Sequence, residues 1–221
     1  MKLKNYDPGS SKSDYVQGHP CLPDDFFCML ICGPSNSGKT NILMNMMYEL
    51  SLFDKIYLFA KNLEQDKYQY LLQYFAENIN PEVGYEVIEA NGDEIIPLEE
   101  LPVYNQKIVV FDDIVCEKNQ NSIINYFIKG RHRKCCVIYL TQEFYKVPKI
   151  IRDNCSHFCI LNFHPRENKR IAGELGVDRD ILARATDEDY SFFYYDKGQK
   201  LMKKILMKIY NGVYQQPNRW N

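Results

Sequence analysis

The chain has 221 residues, of which 45% are hydrophobic, 14% aromatic and 25% charged, within ordinary globular usage and outside the disordered, collagen-like and low-complexity classes. Its 27 basic and 29 acidic residues leave a formal net charge of −2, a total that by itself speaks against a nucleic-acid partner. At ~100–200 residues per domain, one domain with a small extension is expected, large enough to bury a core without disulfides.

Residues 1–24 are polar and carry Pro8, Gly9, Pro20 and Pro23, the composition of an arm laid over a domain. They contain no apolar stretch of the secretory kind, and no run in the chain approaches the ~20 residues of a membrane helix. Phe26–Cys32 is unbroken apolar sequence, which predicts a strand buried on both faces. Gly33-Pro34-Ser35-Asn36-Ser37-Gly38-Lys39-Thr40 follows at once, and Ile42, Leu43, Met46, Met47 and Leu50 then recur at helical spacing. Lys55–Ala60 reads as a second strand and Glu64–Glu77 as a tyrosine-rich helix. Glu82 to Glu100 is an acidic excursion of undefined structure, with seven acids and no base.

Lys107–Asp113 is an apolar strand ending in two carboxylates. A helix is predicted over Gln120–Lys129 and a buried strand over Cys135–Leu140, closing on Thr141-Gln142. A short helix over Pro148–Asn154 and a strand over His157–Phe163 come next. Helices over Glu167–Leu175 and Asp178–Ala185, a strand over Ser191–Tyr195 and a turn at Asp196–Gln199 follow. From Lys200 to Tyr210 the spacing of Leu201, Met202, Ile205, Leu206 and Ile209 suits an amphipathic helix, with a hairpin strand as the alternative. Strands alternating with helices predict an α/β fold with a mostly parallel sheet and helices on both faces. The expected division is an arm (1–24), a core (25–190) and a basic C-terminal extension (191–221).

The eight cysteines (21, 28, 32, 116, 135, 136, 155 and 159) include no Cys-x-x-Cys pair. Most lie in strand-like runs, where a free thiol behaves as a small hydrophobe. Cys155-x-His157-x-Cys159 is metal-like but lacks a second ligand pair at zinc spacing. Buried free thiols in a reducing, intracellular setting are expected.

Gly33 to Thr40 matches G-x-x-x-x-G-K-[ST] without deviation. The glycines let the backbone of Pro34, Ser35, Asn36 and Ser37 wrap around phosphates, with its N–H groups and the following helix N-terminus facing the anion. Lys39 is expected to reach the β- and γ-phosphates of ATP, and the Thr40 hydroxyl to bind Mg²⁺. A hydrolytic site of this kind also needs a carboxylate for the metal shell and a polar group to orient water. Asp112, 73 residues after Lys39, is the candidate for the first, and Asp113 for the water-activating carboxylate. Gln142, 30 residues further, is a candidate γ-phosphate sensor. Strand-end carboxylates also serve as turn or helix caps, and a Gln at a loop start is often a surface polar residue.

Charge is unevenly distributed: Lys129-Gly130-Arg131-His132-Arg133-Lys134 packs four bases into six residues, and Lys197 to Asn221 holds six bases and no acid. A basic face is therefore compatible with the small net charge, although solvated helix faces explain such clusters equally well.

Together these residues resemble the FtsK–HerA superfamily of P-loop ATPases. Within it they look most like the poxvirus-type genome-packaging ATPases of large eukaryotic DNA viruses, virophages and Polinton-like elements. The resemblance rests on Gly33–Thr40, Phe111-Asp112-Asp113, Gly130-Arg131-His132-Arg133 running into Val137–Gln142, and Val147–Asn154, and covers roughly residues 25–165. It implies a RecA-like (ASCE) core, ATP hydrolysis with Mg²⁺, and a homo-oligomeric ring, pentamer or hexamer, that moves double-stranded DNA into a capsid. Capsid vertex or portal proteins are implied partners, and the interior of a host cell (cytoplasmic viral factory or nucleus) or the virion is the implied location. It also implies an arginine supplied in trans to a neighbour's γ-phosphate, for which Arg131 is the first candidate, with Arg133 close behind and Arg152 second. Many members carry Glu where this chain has Asp113, one methylene shorter. The chain looks minimal, so DNA contacts are expected from core loops and the basic tail. Two other readings stand beside this one: a nucleotide-gated scaffold that does not hydrolyse, and a nucleotide kinase, for which no arginine-rich lid is evident.

Overall fold

A computed structural model describes residues 23, 26–49, 55–61, 63–64, 66, 68–70, 72–73, 86–89, 95–114, 120–188 and 191–206. The strands are β1 (Cys28–Cys32), β2 (Lys55–Ala60), β3 (Glu86–Glu89), β4 (Lys107–Asp112), β5 (Cys135–Thr141), β6 (His157–Ile160), β7 (Ser191–Asp196) and β8 (Leu201–Leu206). Among the described residues the helices include α1 (Lys39–Glu49), α2 (Gln120–Lys129), α3 (Lys149–Asn154), α4 (Pro165–Leu175) and α5 (Arg179–Ala185), and short 3₁₀ turns cover Leu98–Glu100, Gly130–Arg133 and Phe144–Lys146.

The eight strands of the described residues form one sheet in the order β3-β2-β4-β5-β1-β6-β7-β8. The first six in that order are parallel to one another, while β7 pairs antiparallel with β6 and β8 antiparallel with β7. Fully apolar runs such as Cys28–Cys32 and Ile108–Phe111 are buried on both faces, as a parallel sheet covered by helices requires. One face packs Leu30, Val109, Phe111, Val137 and Tyr139 against Ile123, Phe127, Ile151, Ile171 and Leu182 of α2 to α5. The other packs Met29, Ile31, Leu58, Val110 and Ile138 against Ile42, Leu43, Met46 and Met47 of α1 and against Tyr68. Each such side chain contributes roughly 1.5–3 kcal/mol on burial.

The position of β5 matters most for the site. It lies between β1 and β4, with Cys32 opposite Thr141 and Leu140 opposite Asp112. The residues that follow these strands, Gly33, Asp113 and Gln142, therefore emerge side by side at the C-terminal ends of three central strands.

The α/β expectation holds, and most element bounds agree within a few residues. The segment after the Asp196–Gln199 turn is a hairpin strand over Leu201–Leu206, not a helix. Asp196 Oδ1 accepts from the Gly198 and Gln199 amides (2.8 and 3.0 Å), and Lys200 takes φ +53°; this turn sends the chain back along the open edge of β7. The core boundary expected at residue 190 thus falls inside the sheet, which runs on through β7 and β8. A four-residue edge strand, β3, lies within the acidic excursion. The tyrosine-rich helix is described only in part. The arm apart from Pro23, and the tail with Lys208, Tyr210, Tyr214 and Arg219, lie outside the described residues.

Cys28, Cys32, Cys135, Cys136, Cys155 and Cys159 are free and buried; Cys21 and Cys116 lie outside the described residues. Among the described residues no three His, Cys, Asp or Glu side chains are grouped to hold a metal ion, and no helix is long and apolar enough to cross a membrane.

Candidate nucleotide site

The loop Gly33–Gly38 leaves β1 and turns directly into α1. The Gly33 amide donates to the Thr141 carbonyl (3.1 Å), tying the loop to the end of β5. A Cβ at Gly33 would lie 2.6 Å from Leu161 Cβ and 2.7 Å from Ser37 Oγ, so only glycine fits there. Gly38 takes φ +104°, open to glycine alone, and Asn36 takes φ +58°, a conformation asparagine tolerates. Inside the loop, Ser37 Oγ donates to the Pro34 carbonyl (2.8 Å).

The Lys39 ammonium donates to the Gly33 and Pro34 carbonyls, both at 2.8 Å. Burial pulls its pKa below the usual lysine value, and the nearby Asp112, Cys32 and Asp113 push it back up. Thr40 sits in the first turn of α1.

Asp112 ends β4 and Asp113 follows it. Burial raises the Asp112 carboxyl above the usual range; a hydrogen bond donated by the Tyr68 hydroxyl opposes this, Asp113 adds to it and Lys39 lowers it. Tyr68 is a contact that sequence reasoning missed: a tyrosine in a tyrosine-rich helix carries no spacing signal for a carboxylate 44 residues away. Asp113 has φ +55° and donates its amide to the Leu140 carbonyl (3.1 Å). Aspartate is enriched in this left-handed conformation, which costs most residues roughly 1–2 kcal/mol. That supplies a backbone reason for Asp rather than Glu here. Gln142 Nε2 donates to Asp113 Oδ2 at 3.1 Å, so the two polar candidates are joined to each other beside the phosphate loop.

The arginine candidates are elsewhere. Arg131 lies on the turn before β5, is exposed, and stands close enough to Cys28 at the start of β1 to act on its thiol. The seven-residue length of β5, about 20 Å at ~3.3 Å per residue, separates it from its own phosphate loop. Arg133 is held by the Glu99 and Leu101 carbonyls (3.1 and 2.9 Å). Arg152 is buried: its Nε meets Glu174 Oε1 at 2.6 Å, Nη1 donates to the Val147 carbonyl, and the guanidinium lies over the Phe144 and Tyr145 rings at 5.2 and 5.3 Å. The fold therefore gathers Gly33–Thr40, Asp112, Asp113 and Gln142, and leaves Arg131, Arg133 and Arg152 outside that group.

The model of the family described as Poxvirus A32 protein matches residues 19–215. Two viral DNA packaging proteins named OPG160 are similar to this chain. The one from variola virus is 26% identical over 170 residues, covering 71% of this chain and 62% of its own length. The one from monkeypox virus is 28% identical over 173 residues, covering 71% and 55%. This chain thus spans about 62% or less of the length of these relatives. Among solved structures, the DNA-packaging ATPase B204 from Sulfolobus turreted icosahedral virus aligns with a TM-score of 0.60 at 16% identity, over 82% of this chain and 98% of that one. A B204 structure from Sulfolobus turreted icosahedral virus 2 with ATP-γS gives 0.57 at 17%, over 81% and 96%. EssC from Geobacillus thermodenitrificans gives 0.53 at 14%, over 77% and 37%. At these identities the likeness shows the fold, that of the P-loop NTPases.

Proposed function

The chain belongs to the Poxvirus A32 protein family, and from that premise we propose that it is an ATP-hydrolysing motor subunit that translocates double-stranded DNA into a viral capsid. One observation carries the reading. The phosphate loop, Asp112 and the Asp113–Gln142 pair converge at the ends of three adjacent strands, the arrangement that phosphoryl transfer to water requires.

In this reading the amides of Gly33–Gly38 and the Lys39 ammonium bind the phosphates of ATP, and Lys39 exchanges its two loop carbonyls for phosphate oxygens. Thr40 and Asp112 would hold Mg²⁺. The donor set fits: one hydroxyl and one carboxylate, with the remaining positions left to water and phosphate oxygens, suit Mg²⁺ rather than an all-protein cage. When bound, the ion would neutralise charge on the transferring phosphoryl group. Asp113 accepts the proton of the attacking water, and Gln142, bonded to Asp113, orients that water toward the γ-phosphate.

The strand-length separation within one subunit supports a trans role for Arg131. In a head-to-tail contact between copies, the turn before β5 of one subunit meets the phosphate-loop end of the next, and such heterologous contacts form a ring when the rotation between copies closes. A trans arginine supplies ~10³–10⁵ in rate in other P-loop enzymes. Arg131 is preferred over Arg152 because Arg152 is already engaged inside its own chain. Ring size, pentamer or hexamer, and the capsid vertex or portal partner belong to the same proposal.

The test is the ATPase rate against duplex length, with oligomeric state measured in the same buffer. Lys39→Ala is expected to abolish hydrolysis. Arg131→Ala is expected to abolish hydrolysis while sparing nucleotide binding, and mixing the two variants is expected to restore part of the turnover. Tight ATP binding without hydrolysis at any DNA concentration would favour the scaffold reading, and phosphate transfer to a nucleoside or nucleotide the kinase reading.

A further inference from the structure

The Tyr68 side chain is fully buried, at 0% exposure. It lies on helical residues after β2, on the sheet face that carries α1. Strand pairing explains what it meets: β2 runs beside β4 with Ala60 opposite Asp112, so the chain leaving β2 passes over the end of β4. There the Tyr68 hydroxyl donates to Asp112 Oδ2. A buried hydroxyl or carboxylate without a partner costs ~1–3 kcal/mol or more, and this single bond serves both groups. It commits one oxygen of the Asp112 carboxylate to the protein and leaves the other for a ligand. The same carboxylate is near enough to Lys39 to act on it electrostatically.

We propose that Tyr68 is a positioning residue for the Mg²⁺–nucleotide complex: by fixing one oxygen of Asp112 it sets the rotamer that presents the other to the metal shell. The proposal rests on the reading of Asp112 as the metal-shell residue. Carboxylates that ligate metals are themselves held by outer hydrogen bonds, whose loss typically costs 10–100-fold in metal affinity or activity. A buried tyrosine with one polar atom suits this role, because its ring is fixed by packing against the core.

The experiment uses the full chain, a fluorescent ATP analogue and four proteins: wild type, Tyr68→Phe, Asp112→Asn and the double variant. Phenylalanine keeps the ring and removes only the hydroxyl, and a thermal melt confirms that each variant is folded. Binding is measured in EDTA and then across a Mg²⁺ titration. The expected result is that Tyr68→Phe binds the analogue as wild type does in EDTA but needs ~10–100-fold more Mg²⁺ to reach the Mg²⁺-dependent state. The double variant is expected to need no more Mg²⁺ than Asp112→Asn alone, since Tyr68 acts through that carboxylate. A Tyr68→Phe protein that melts earlier but keeps the wild-type Mg²⁺ midpoint overturns the positioning role, as do effects that simply add in the double variant. A wild-type protein whose analogue binding ignores Mg²⁺ and matches Asp112→Asn overturns the metal-shell reading itself, and the positioning role with it.

Discussion

Truncating Arg152 to alanine removes a guanidinium that is 9% exposed and makes two hydrogen bonds to Glu174, at 2.6 and 3.4 Å, besides the bond to the Val147 carbonyl. It also removes a cation over two aromatic rings, worth roughly 0.5–1 kcal/mol each at partly exposed sites. Breaking a buried ion pair typically costs 3–5 kcal/mol because a charge is left without its partner. Glu174 is 25% exposed, so water recovers part of that, and a loss of about 2–4 kcal/mol is expected. For a chain of this size each kcal/mol moves the melting temperature by about 2–4 °C, giving a fall of about 4–16 °C. Arg131 is exposed, and its truncation is expected to stay within about 0.5 kcal/mol of wild type. Differential scanning calorimetry of both variants, followed by ATPase assays at matched concentrations of folded protein, separates the two arginines. Arg152→Ala should be unstable but retain measurable turnover while folded, and Arg131→Ala should be stable and inactive. An Arg152→Ala protein that melts with wild type, lacks turnover and is rescued by mixing with Lys39→Ala would refute this reasoning and move the trans role to Arg152.

Gly33→Ala puts a methyl within 2.6 Å of Leu161 Cβ and is expected to lose about 1–3 kcal/mol, together with nucleotide affinity, in paired melts and binding titrations. Gly173→Ala, in α4 with no atom within 4 Å of the added methyl, is expected to gain about 0.5–1 kcal/mol in the same melts. Burial pushes the Cys28 thiol up to about 12, with Arg131 lowering it, and the Cys135 thiol up to about 11. Above the unfolded thiol value near 8.5, only the unfolded chain loses these protons, so stability is expected to fall by about 1.4 kcal/mol per pH unit per thiol until the folded values are reached. Urea midpoints from pH 8 to 10.5 should fall less steeply for Cys28→Ala than for wild type. Equal slopes would show that Cys28 ionises alike in both states.

The phosphate loop was legible because it is local: two glycines, a lysine and a threonine at fixed spacing must follow a strand and open a helix. Asp112, Asp113 and Gln142 were legible as strand ends, but the bond between Asp113 and Gln142 required β4 and β5 to be neighbours, which no spacing encodes. The spacing from Lys200 to Tyr210 left an amphipathic helix and a hairpin strand open, and a strand forms over Leu201–Leu206 because the Asx turn at Asp196 and the open edge of β7 favour pairing. The turn itself was legible, and it favours the hairpin, one of the two readings open for the next segment. The partner of Arg152 was invisible for a related reason, since Glu174 lies 22 residues away on another helix. Tyr68 is the extreme case, a residue whose only distinction is the tertiary contact it makes.

The basic segments look different once their neighbours are known. Lys129 meets Glu99 at 3.9 Å, and Arg133 donates to the Glu99 carbonyl, so part of the acidic excursion folds back onto the basic turn. Lys204 pairs with Asp187 and Glu188 at 2.6 and 2.5 Å. These pairs are exposed, so water and salt screen them and they add little stability, but they lower the positive field that a DNA backbone would meet. The sign separation expected along the sequence is therefore smaller in space, and Arg133 and Lys129 are poor candidates for phosphate contacts. Arg131 lies between them on the same turn. In the proposed head-to-tail contact its charge would face the strand end that holds Asp112 and Asp113. A turn whose neighbours Lys129 and Arg133 are engaged within the chain while Arg131 is exposed suits delivery of one cation to a neighbour's nucleotide better than tracking a duplex.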